Sequence, residues 1–153
     1  MTKKIRWLWG LCAVVLLVSG CGSMFNDIYD DDSKIARASD SFAALTSFSR
    51  GDGRVFTMSA SAMSGTQTIW QGDADSGQAL VVDYSLSMEE GGKVKLVLIS
   101  PSGQVTVLAE CTEPGAAVEG QLGETLTESG KYRIKVVGRD GPKYTLRLEF
   151  DPD

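Results

Sequence analysis

The residues Gln78-Ala79-Leu80-Val81-Val82-Asp83-Tyr84-Ser85-Leu86-Ser87-Met88 carry the clearest structural pattern in the sequence. Every second residue from the third onward is apolar or aromatic, namely Leu80, Val82, Tyr84, Leu86 and Met88. The positions between them are Val81, Asp83, Ser85 and Ser87. Alternation over this length is typical of a β-strand with one face in the core and the other in water.

Further short strands are predicted on both sides of this one, with turn residues between them. Their ranges are 55–60, 67–71, 93–100, 104–110, 116–122, 131–138 and 143–150. In the strand 131–138, Tyr132, Ile134 and Val136 are predicted to face inward, and Lys131, Arg133 and Lys135 outward. Glu89-Glu90-Gly91-Gly92, Pro101-Ser102-Gly103 and Arg139-Asp140-Gly141-Pro142 have the composition of turns. The pattern predicts an all-β, antiparallel two-sheet sandwich over 51–150, jelly-roll-like or immunoglobulin-like.

The N-terminal part of the chain lacks the alternation of apolar and polar residues. Residues 21–50 are expected to form a tether and lead-in, flexible or partly helical, that includes the acidic run Asp30-Asp31-Asp32. A short amphipathic helix is one option, with Ser39 or Asp40 as its N-cap. Its apolar residues would be Ile35, Ala36, Phe42, Leu45 and Phe48. A flexible tether of this kind reaches roughly 25–30 Å on average.

The first residues have the order of a secretory signal peptide. Lys3, Lys4 and Arg6 form a basic head, 7–18 is apolar apart from Gly10, and small residues follow. The apolar run is shorter than the ~20 residues that a membrane-spanning helix needs. Val18-Ser19-Gly20-Cys21 resembles the lipobox of bacterial lipoproteins. The resemblance implies that residues 1–20 are removed and that Cys21, acylated with diacylglycerol and palmitate-type chains, becomes the N-terminus and the membrane anchor.

This reading has consequences for charge and location. Removal of residues 1–20 takes away three positive charges and no negative ones, so the net charge of -5 becomes -8. An acidic chain argues against nucleic acid and against polybasic adhesion to anionic lipid. The expected location is the extracytoplasmic face of a bacterial membrane, where the lipid anchor is the membrane partner.

The last two predicted strands form a hairpin with a distinctive sequence. It reads Ser129-Gly130-Lys131-Tyr132-Arg133-Ile134-Lys135-Val136-Val137-Gly138 and continues with Tyr144-Thr145-Leu146. This hairpin resembles the end of bacterial pre-peptidase C-terminal domains, which are secreted β-sandwiches. Ile99-Ser100-Pro101-Ser102-Gly103 is similar to the Pro-x-Gly turn of that family. The resemblance implies a secreted sandwich and transfers no site residue.

The composition excludes several chemistries. The sequence contains no histidine, which rules out Ser-His-Asp, Cys-His and HExxH sites. After Cys12 is removed and Cys21 is acylated, Cys111 has no partner for an intrachain disulfide. A small, half-buried residue after a strand is the favoured interpretation of Cys111 over a reactive thiol.

Two groups of residues are candidates for a site. Asp73 and Asp75 alternate ahead of Gly77, as at the start of a calcium loop, but no bidentate glutamate follows at the required distance. A plain acidic turn explains them equally well, and we expect no cofactor. Trp70 could stack on a sugar or dock a partner if strict alternation points it outward beside an inward Ile69. A bulge near Gly72 would turn it into the core, and burial of so large a ring favours that outcome.

These observations favour a non-catalytic binding or interaction module at the cell envelope, with a protein or glycan partner. One alternative is a carboxylate-based envelope hydrolase, and another is a purely structural spacer. The carboxylates available to a hydrolase are Asp73, Asp75, Asp83, Glu89 and Glu90. Two carboxylates facing each other in a cleft would favour the hydrolase. A flat apolar patch would favour a protein partner.

Overall fold

A computed structural model describes residues 25–151 of the chain. Within this range, a 3-10 turn at Asn26–Ile28 and a short helix α1 at Asp32–Ile35 precede ten strands. The strands are β1 Ser41–Ala43, β2 Thr46–Gly51, β3 Val55–Ser61, β4 Ser64–Ala74, β5 Ala79–Glu90, β6 Lys93–Ile99, β7 Val105–Cys111, β8 Ala117–Thr125, β9 Gly130–Arg139 and β10 Lys143–Phe150.

The strands form two five-stranded antiparallel sheets, which confirms the predicted sandwich. Sheet A has the order β1-β4-β9-β6-β7, and sheet B has the order β2-β3-β10-β5-β8. The alternation in β5 has the predicted effect, since Val82, Leu86 and Met88 are buried and Asp83 is exposed. The inner faces of both sheets share one core, which includes Met58, Val82, Leu86, Val94, Leu96, Ile134, Val136, Leu146 and Leu148.

Cys111 is the last residue of β7 and lies inside this core. Its side chain is fully buried, and its Sγ lies 3.6 Å from the carbonyl oxygens of Leu86 and Ala116. Burial raises the pKa of the Cys111 thiol. Cys111 thus lies within the strand and is fully buried, where the sequence predicted a half-buried residue after it.

The sandwich begins earlier in the chain than the sequence suggests. Strands β1 and β2 lie before residue 51, so the sandwich starts at Ser41. The amphipathic helix reading is wrong, because α1 ends at Ile35 and is capped by Asp31, whose carboxylate accepts from the amide of Lys34 at 3.2 Å. Residues 46–51 form a strand because they pair with β3, and this pairing outweighs the loose helical spacing of their apolar residues.

Residues 25–40, which we call the strap, lie against the outer face of sheet A. Ile28, Tyr29 and Ile35 are buried there against Val97, Ile99 and Val137 of β6 and β9. The lead-in is partly helical, as predicted, but these residues are packed on the domain and do not extend away from it as a tether.

Cations on the outer face of β9 fix the strap in place. The fully buried ammonium of Lys135 donates to the carbonyl oxygens of Arg37 at 2.7 Å and Ser39 at 3.4 Å. The same Nζ lies 3.2 Å from Oδ1 of Asp40. Arg133 donates to the carbonyl oxygen of Ala36 at 2.8 Å. The strap is therefore held by polar contacts as well as by its apolar side chains.

The strap is also tied near its beginning. Tyr29 donates its hydroxyl to Glu110 at 2.7 Å, and the Lys95 ammonium lies 4.6 Å from the centre of the Tyr29 ring. Asn26 donates to the Asp140 carboxylate at 2.6 Å, at the turn between β9 and β10. None of the helices in residues 25–151 has the length and apolar character needed to cross a bilayer.

Candidate functional site

The strap covers sheet A, whereas the outer face of sheet B is turned to solvent. Antiparallel pairing places its outward side chains in rows that cross the strands from β2 to β8. One row is Phe48, Ser59, Thr145, Ser87 and Ala117. The next row is Arg50, Thr57, Arg147, Ser85 and Glu119. We call the surface formed by these ten residues, together with Asp83, the open face.

Small hydroxyl side chains form the floor of the open face. Because serine and threonine are short, a groove of about 370 Å³ remains above them. It is lined by Phe48, Ser49, Arg50, Thr57, Met58, Ser59, Ser85, Thr145, Leu146 and Arg147. A second hollow of about 380 Å³ adjoins it and shares Ser85 and Arg147 with it. The two hollows make one trough across the sheet.

Phe48 is the large apolar side chain of this surface, and 73% of it is exposed. Its position depends on the hairpin that joins β2 to β3. In that hairpin the Asp52 carboxylate accepts from the amides of Arg54 at 3.1 Å and Val55 at 2.8 Å. These bonds lower the pKa of Asp52 and hold β2 in register, so that Phe48 and Arg50 both point onto the open face.

Hydrogen bonds within the open face order part of its floor. Ser87 and Thr145 share a hydrogen bond of 2.6 Å, and Gln121 donates to Asp83 at 2.8 Å. Hydroxyl groups both donate and accept, and an aromatic ring offers an apolar face. The arrangement is therefore suited to a ligand that presents many hydroxyl groups and some flat apolar surface.

Trp70 lies away from the open face. The register of β4 against β9 shifts between Thr68 and Trp70, which makes Ile69 the extra residue of a bulge. Trp70 consequently stands opposite Ile134 on the core side of sheet A, half-buried, with its ring centroid 5.2 Å from that of Phe150. The bulge falls at Ile69 rather than near Gly72, and it turns the ring inward. A small cavity of about 100 Å³ adjoins the ring.

Asp73 and Asp75 are both exposed near the turn between β4 and β5. Asp73 stands opposite Lys131, and the amide of Asp75 donates to the Gln78 side chain at 3.2 Å. Within residues 25–151, no three acidic or cysteine side chains converge as a metal site would require. A plain acidic turn and the start of a calcium loop therefore stay the two interpretations of Asp73 and Asp75.

The other carboxylates considered for a hydrolase are spread over the domain. Glu89 and Glu90 end β5, whereas Asp75 precedes its start, so the strand separates them by roughly 40 Å. Glu89 is also paired with Lys143 at 2.6 Å. Asp83 alone has a carboxylate neighbour on the open face, since Glu119 lines the same hollow.

Sequence reasoning missed Phe48 and Arg50 as site residues, because β2 was assigned to the lead-in. Thr57 lies in a predicted strand, but no local pattern marked it as a site residue. A usable signal was present: Thr46, Phe48 and Arg50 alternate with Ser47 and Ser49, as in a strand. Cys21 and the rest of the lipobox lie outside the described residues, so lipidation stays a prediction.

The fold and the open face together define an antiparallel β-sandwich with a polar, solvent-facing sheet. Similar solved structures include the carbohydrate-binding module TmCBM61 in complex with β-1,4-galactotriose, at TM-score 0.40 and 15% identity, covering 70% of this chain and 69% of that one. A second is the module CBM6cm-2 of Cellvibrio mixtus lichenase 5A with cellotriose, at TM-score 0.37 and 11% identity, covering 78% and 95%. A third is Aeromonas hydrophila PliG, a periplasmic inhibitor of g-type lysozyme, at TM-score 0.34 and 17% identity, covering 67% and 91%.

No family model matches the chain, and no curated protein matches it in sequence. Structural neighbours of the chain thus include carbohydrate-binding modules, at a similarity that concerns architecture alone. The resemblance of the C-terminal hairpin to pre-peptidase C-terminal domains stays a prediction.

Proposed function

We propose that this chain is a non-catalytic module that binds an extended glycan at the cell envelope, using the open face. The observation that carries the proposal is the exposed ring of Phe48 beside a trough floored by hydroxyl side chains. An exposed phenylalanine forgoes burial worth about 2 kcal/mol, which a ligand covering the ring would recover. Sugar rings match this surface, because they combine hydroxyl edges with apolar C–H faces.

The composition of the open face favours a glycan over a protein partner. Its side chains are mainly Ser, Thr, Arg and acidic residues, with Phe48 as the large apolar one. Protein interfaces that bind stably centre on a desolvated apolar core. The trough runs across the strands and remains open along its length, which suits a linear chain.

The proposal includes membrane attachment through a lipid on Cys21, supported by the lipobox sequence alone. Attachment on the extracytoplasmic side would place the open face among envelope polysaccharides. Replacing Cys21 with Ser tests this part separately. We expect the protein to move from the membrane fraction to the soluble fraction, and a variant that stays membrane-bound would contradict lipidation.

A carboxylate-based hydrolase is the second candidate, because Asp83 and Glu119 line one hollow on adjacent strands. Acid-base catalysis by a carboxylate pair requires environments that hold one of the two protonated near neutral pH, usually through burial. Both residues are exposed on a sheet surface, and Asp83 is bonded to Gln121. These facts support binding over hydrolysis.

The test is binding to a panel of soluble and insoluble polysaccharides by affinity electrophoresis and pull-down. We expect Phe48→Ala to weaken binding about tenfold or more, as expected for loss of a stacking contact of one to two kcal/mol. Phe42→Ala is the matched control, since Phe42 is a partly exposed phenylalanine of sheet A.

Retention of affinity by Phe48→Ala would remove the open face as the binding site. Release of reducing ends, lost in Asp83→Asn and Glu119→Gln, would establish the hydrolase instead. A structural spacer would show neither binding nor release.

A further inference from the structure

We infer that the glycan bound on the open face is anionic and that a carboxylate of the polymer is held between Arg50 and Arg147. This inference rests on the proposed function and specifies the class of its ligand. It starts from the position of the two arginines in the same row of the sheet.

The backbone pairing places the two arginines on either side of one small residue. Arg50 of β2 stands opposite Thr57 of β3, and Thr57 stands opposite Arg147 of β10. All three side chains point onto the same face, and two strand spacings separate the arginine Cα atoms by about 10 Å. Both arginines line the groove above Thr57. An anion seated over Thr57 is thus within reach of two guanidinium groups.

The charge of the groove contrasts with that of the whole chain. The chain has a net charge of -5, yet the residues that line the groove include two arginines and no carboxylate. Arg147 donates to Glu149 at 2.7 Å through one nitrogen, which leaves other donors of its guanidinium for a ligand. The neighbouring hollow contains Asp83 and Glu119 beside Arg147, so the groove near Phe48 is the part of the trough that is lined by arginine without a carboxylate.

The spacing between ring and cation fits a sugar acid. Phe48 and Arg50 are two residues apart on one face of β2, which separates them by about 7 Å along the strand. A sugar ring stacked on Phe48 would direct a carboxylate of its own or of the next residue toward Arg50. Guanidinium groups bind carboxylates through two parallel hydrogen bonds, which favours arginine over lysine at such a position. Sulfate esters offer the same oxyanion chemistry and are distinguished by the experiment.

The experiment compares one polymer with and without its carboxylates, and adds a sulfated polymer. Polygalacturonate, the same polymer after carboxyl reduction, and a sulfated galactan are titrated against residues 22–153, which lack the apolar segment 7–18 and the acylated cysteine. We expect polygalacturonate to bind at least about tenfold more tightly than the reduced polymer, since a charge-assisted hydrogen bond contributes roughly 1.5–3 kcal/mol. The preference should shrink as salt is raised.

Substitutions of the two arginines test whether they cause the preference for polygalacturonate over the reduced polymer. We expect Arg50→Gln and Arg147→Gln each to lose most of the tenfold preference and to keep the binding of the reduced polymer. Arg37→Gln, which removes the same charge from the strap on the opposite side of the domain, should bind as the parent does. Arg50→Lys should lose part of the preference, because it keeps the charge and lacks the planar fork. Thermal melts check that each exposed substitution leaves the fold intact.

The outcomes separate this inference from the proposed function. Equal affinity for the two forms of polygalacturonate, together with loss of binding in Phe48→Ala, would overturn the anionic ligand and leave glycan binding in place. Absence of binding to all polymers would overturn both. Preference for the sulfated galactan, lost in Arg50→Gln, would keep the arginine site and replace the carboxylate with a sulfate. An unchanged preference in both arginine variants would overturn the site.

Discussion

Removing the carboxylate of Asp40 tests how firmly the strap is held to sheet A. Its Oδ1 lies 3.2 Å from the ammonium of Lys135, whose side chain is 0% exposed. The carbonyl oxygens of Arg37 and Ser39 are the other acceptors of that ammonium. Asp40→Ala therefore leaves a buried cation with only neutral partners.

The expected cost follows from the burial of the pair. Removing one partner of a fully buried ion pair costs about 3–5 kcal/mol, whereas an exposed pair contributes ~0–1 kcal/mol. Because 30% of the Asp40 side chain is exposed and two carbonyl oxygens remain, we expect Asp40→Ala to lower the free energy of unfolding by about 2 kcal/mol. Lys135→Met keeps the aliphatic stem and removes the buried charge, so it should cost about 1 kcal/mol or less.

Urea unfolding followed by far-UV circular dichroism measures both effects in a double-mutant cycle. In the Lys135→Met background Asp40→Ala still removes the acceptor of the Thr68 hydroxyl at 2.8 Å and should cost less than about 1 kcal/mol, which gives a coupling of about 1–2 kcal/mol. Glu124→Ala is the control, because it removes an exposed negative charge from sheet B and should change stability by less than about 0.5 kcal/mol.

The pH dependence gives a second measurement of the same pair. Burial lowers the pKa of Lys135, although Asp40 opposes the shift. Between this lowered pKa and the value of about 10.4 in an unfolded chain, the unfolded state binds more protons. The parent should therefore gain stability relative to Lys135→Met as the pH rises through that window. An Asp40→Ala cost that is the same in both backgrounds, or below about 0.5 kcal/mol in the parent, would refute the reasoning.

Three other expectations follow from the packing. Gly65→Ala would place a Cβ against the carbonyl oxygen of Ser41 in β1, at a φ of +103°, and should cost about 2–3 kcal/mol in urea unfolding. Gly123→Ala meets no atom within 4 Å and should be nearly neutral. Phe150→Leu removes the ring 5.2 Å from Trp70 and should shift the tryptophan emission of the processed chain to the red; unchanged emission would contradict that contact. The buried thiol of Cys111 should react with a thiol reagent only after unfolding. Because its pKa is raised, the parent should lose stability relative to Cys111→Ala as the pH rises above about 8.5.

The sandwich could be predicted from the sequence wherever one face of a strand is buried and the other is wet. In β5 the side chains alternate in apolar and polar character, and burial in the structure follows this alternation. In β9 the predicted inward residues Tyr132, Ile134 and Val136 are buried, but Lys135 on the outer face is buried as well, because the strap covers it. β2 could not be predicted in the same way, because all six of its residues are exposed. Its strand state depends on pairing with β3, a contact between distant parts of the chain that leaves a weak local signal.

The sequence did not predict the packing of the strap, because that packing also depends on contacts between distant parts of the chain. Outward cations such as Arg133 and Lys135 normally face water, and only the folded chain shows that Ala36 and Asp40 cover them. A partial signal was the apolar character of Val97 and Ile99 at outward positions of β6, which indicates that something covers that face.

The sequence predicted where the residues of the open face lie, but not that they form a candidate binding site. Asp83, Ser85 and Ser87 were assigned to the wet face of their strand, and they lie there. The sequence alone does not distinguish a wet face that binds a ligand from one that only faces solvent. The inward turn of Trp70 likewise depends on the bulge at Ile69, a register shift that strict alternation does not describe.

The strap also sets the distance between the folded domain and a bilayer. With the acyl anchor proposed at Cys21, only Gly22, Ser23 and Met24 separate the acylated residue from Phe25, where the described strap begins. Four residue steps span at most about 14 Å. The first strap residues contact Asp140, so the end of the sandwich that carries the β9–β10 turn would stand next to the lipid headgroups. A polymer bound on sheet B would then lie no farther from the membrane surface than the length of the domain itself.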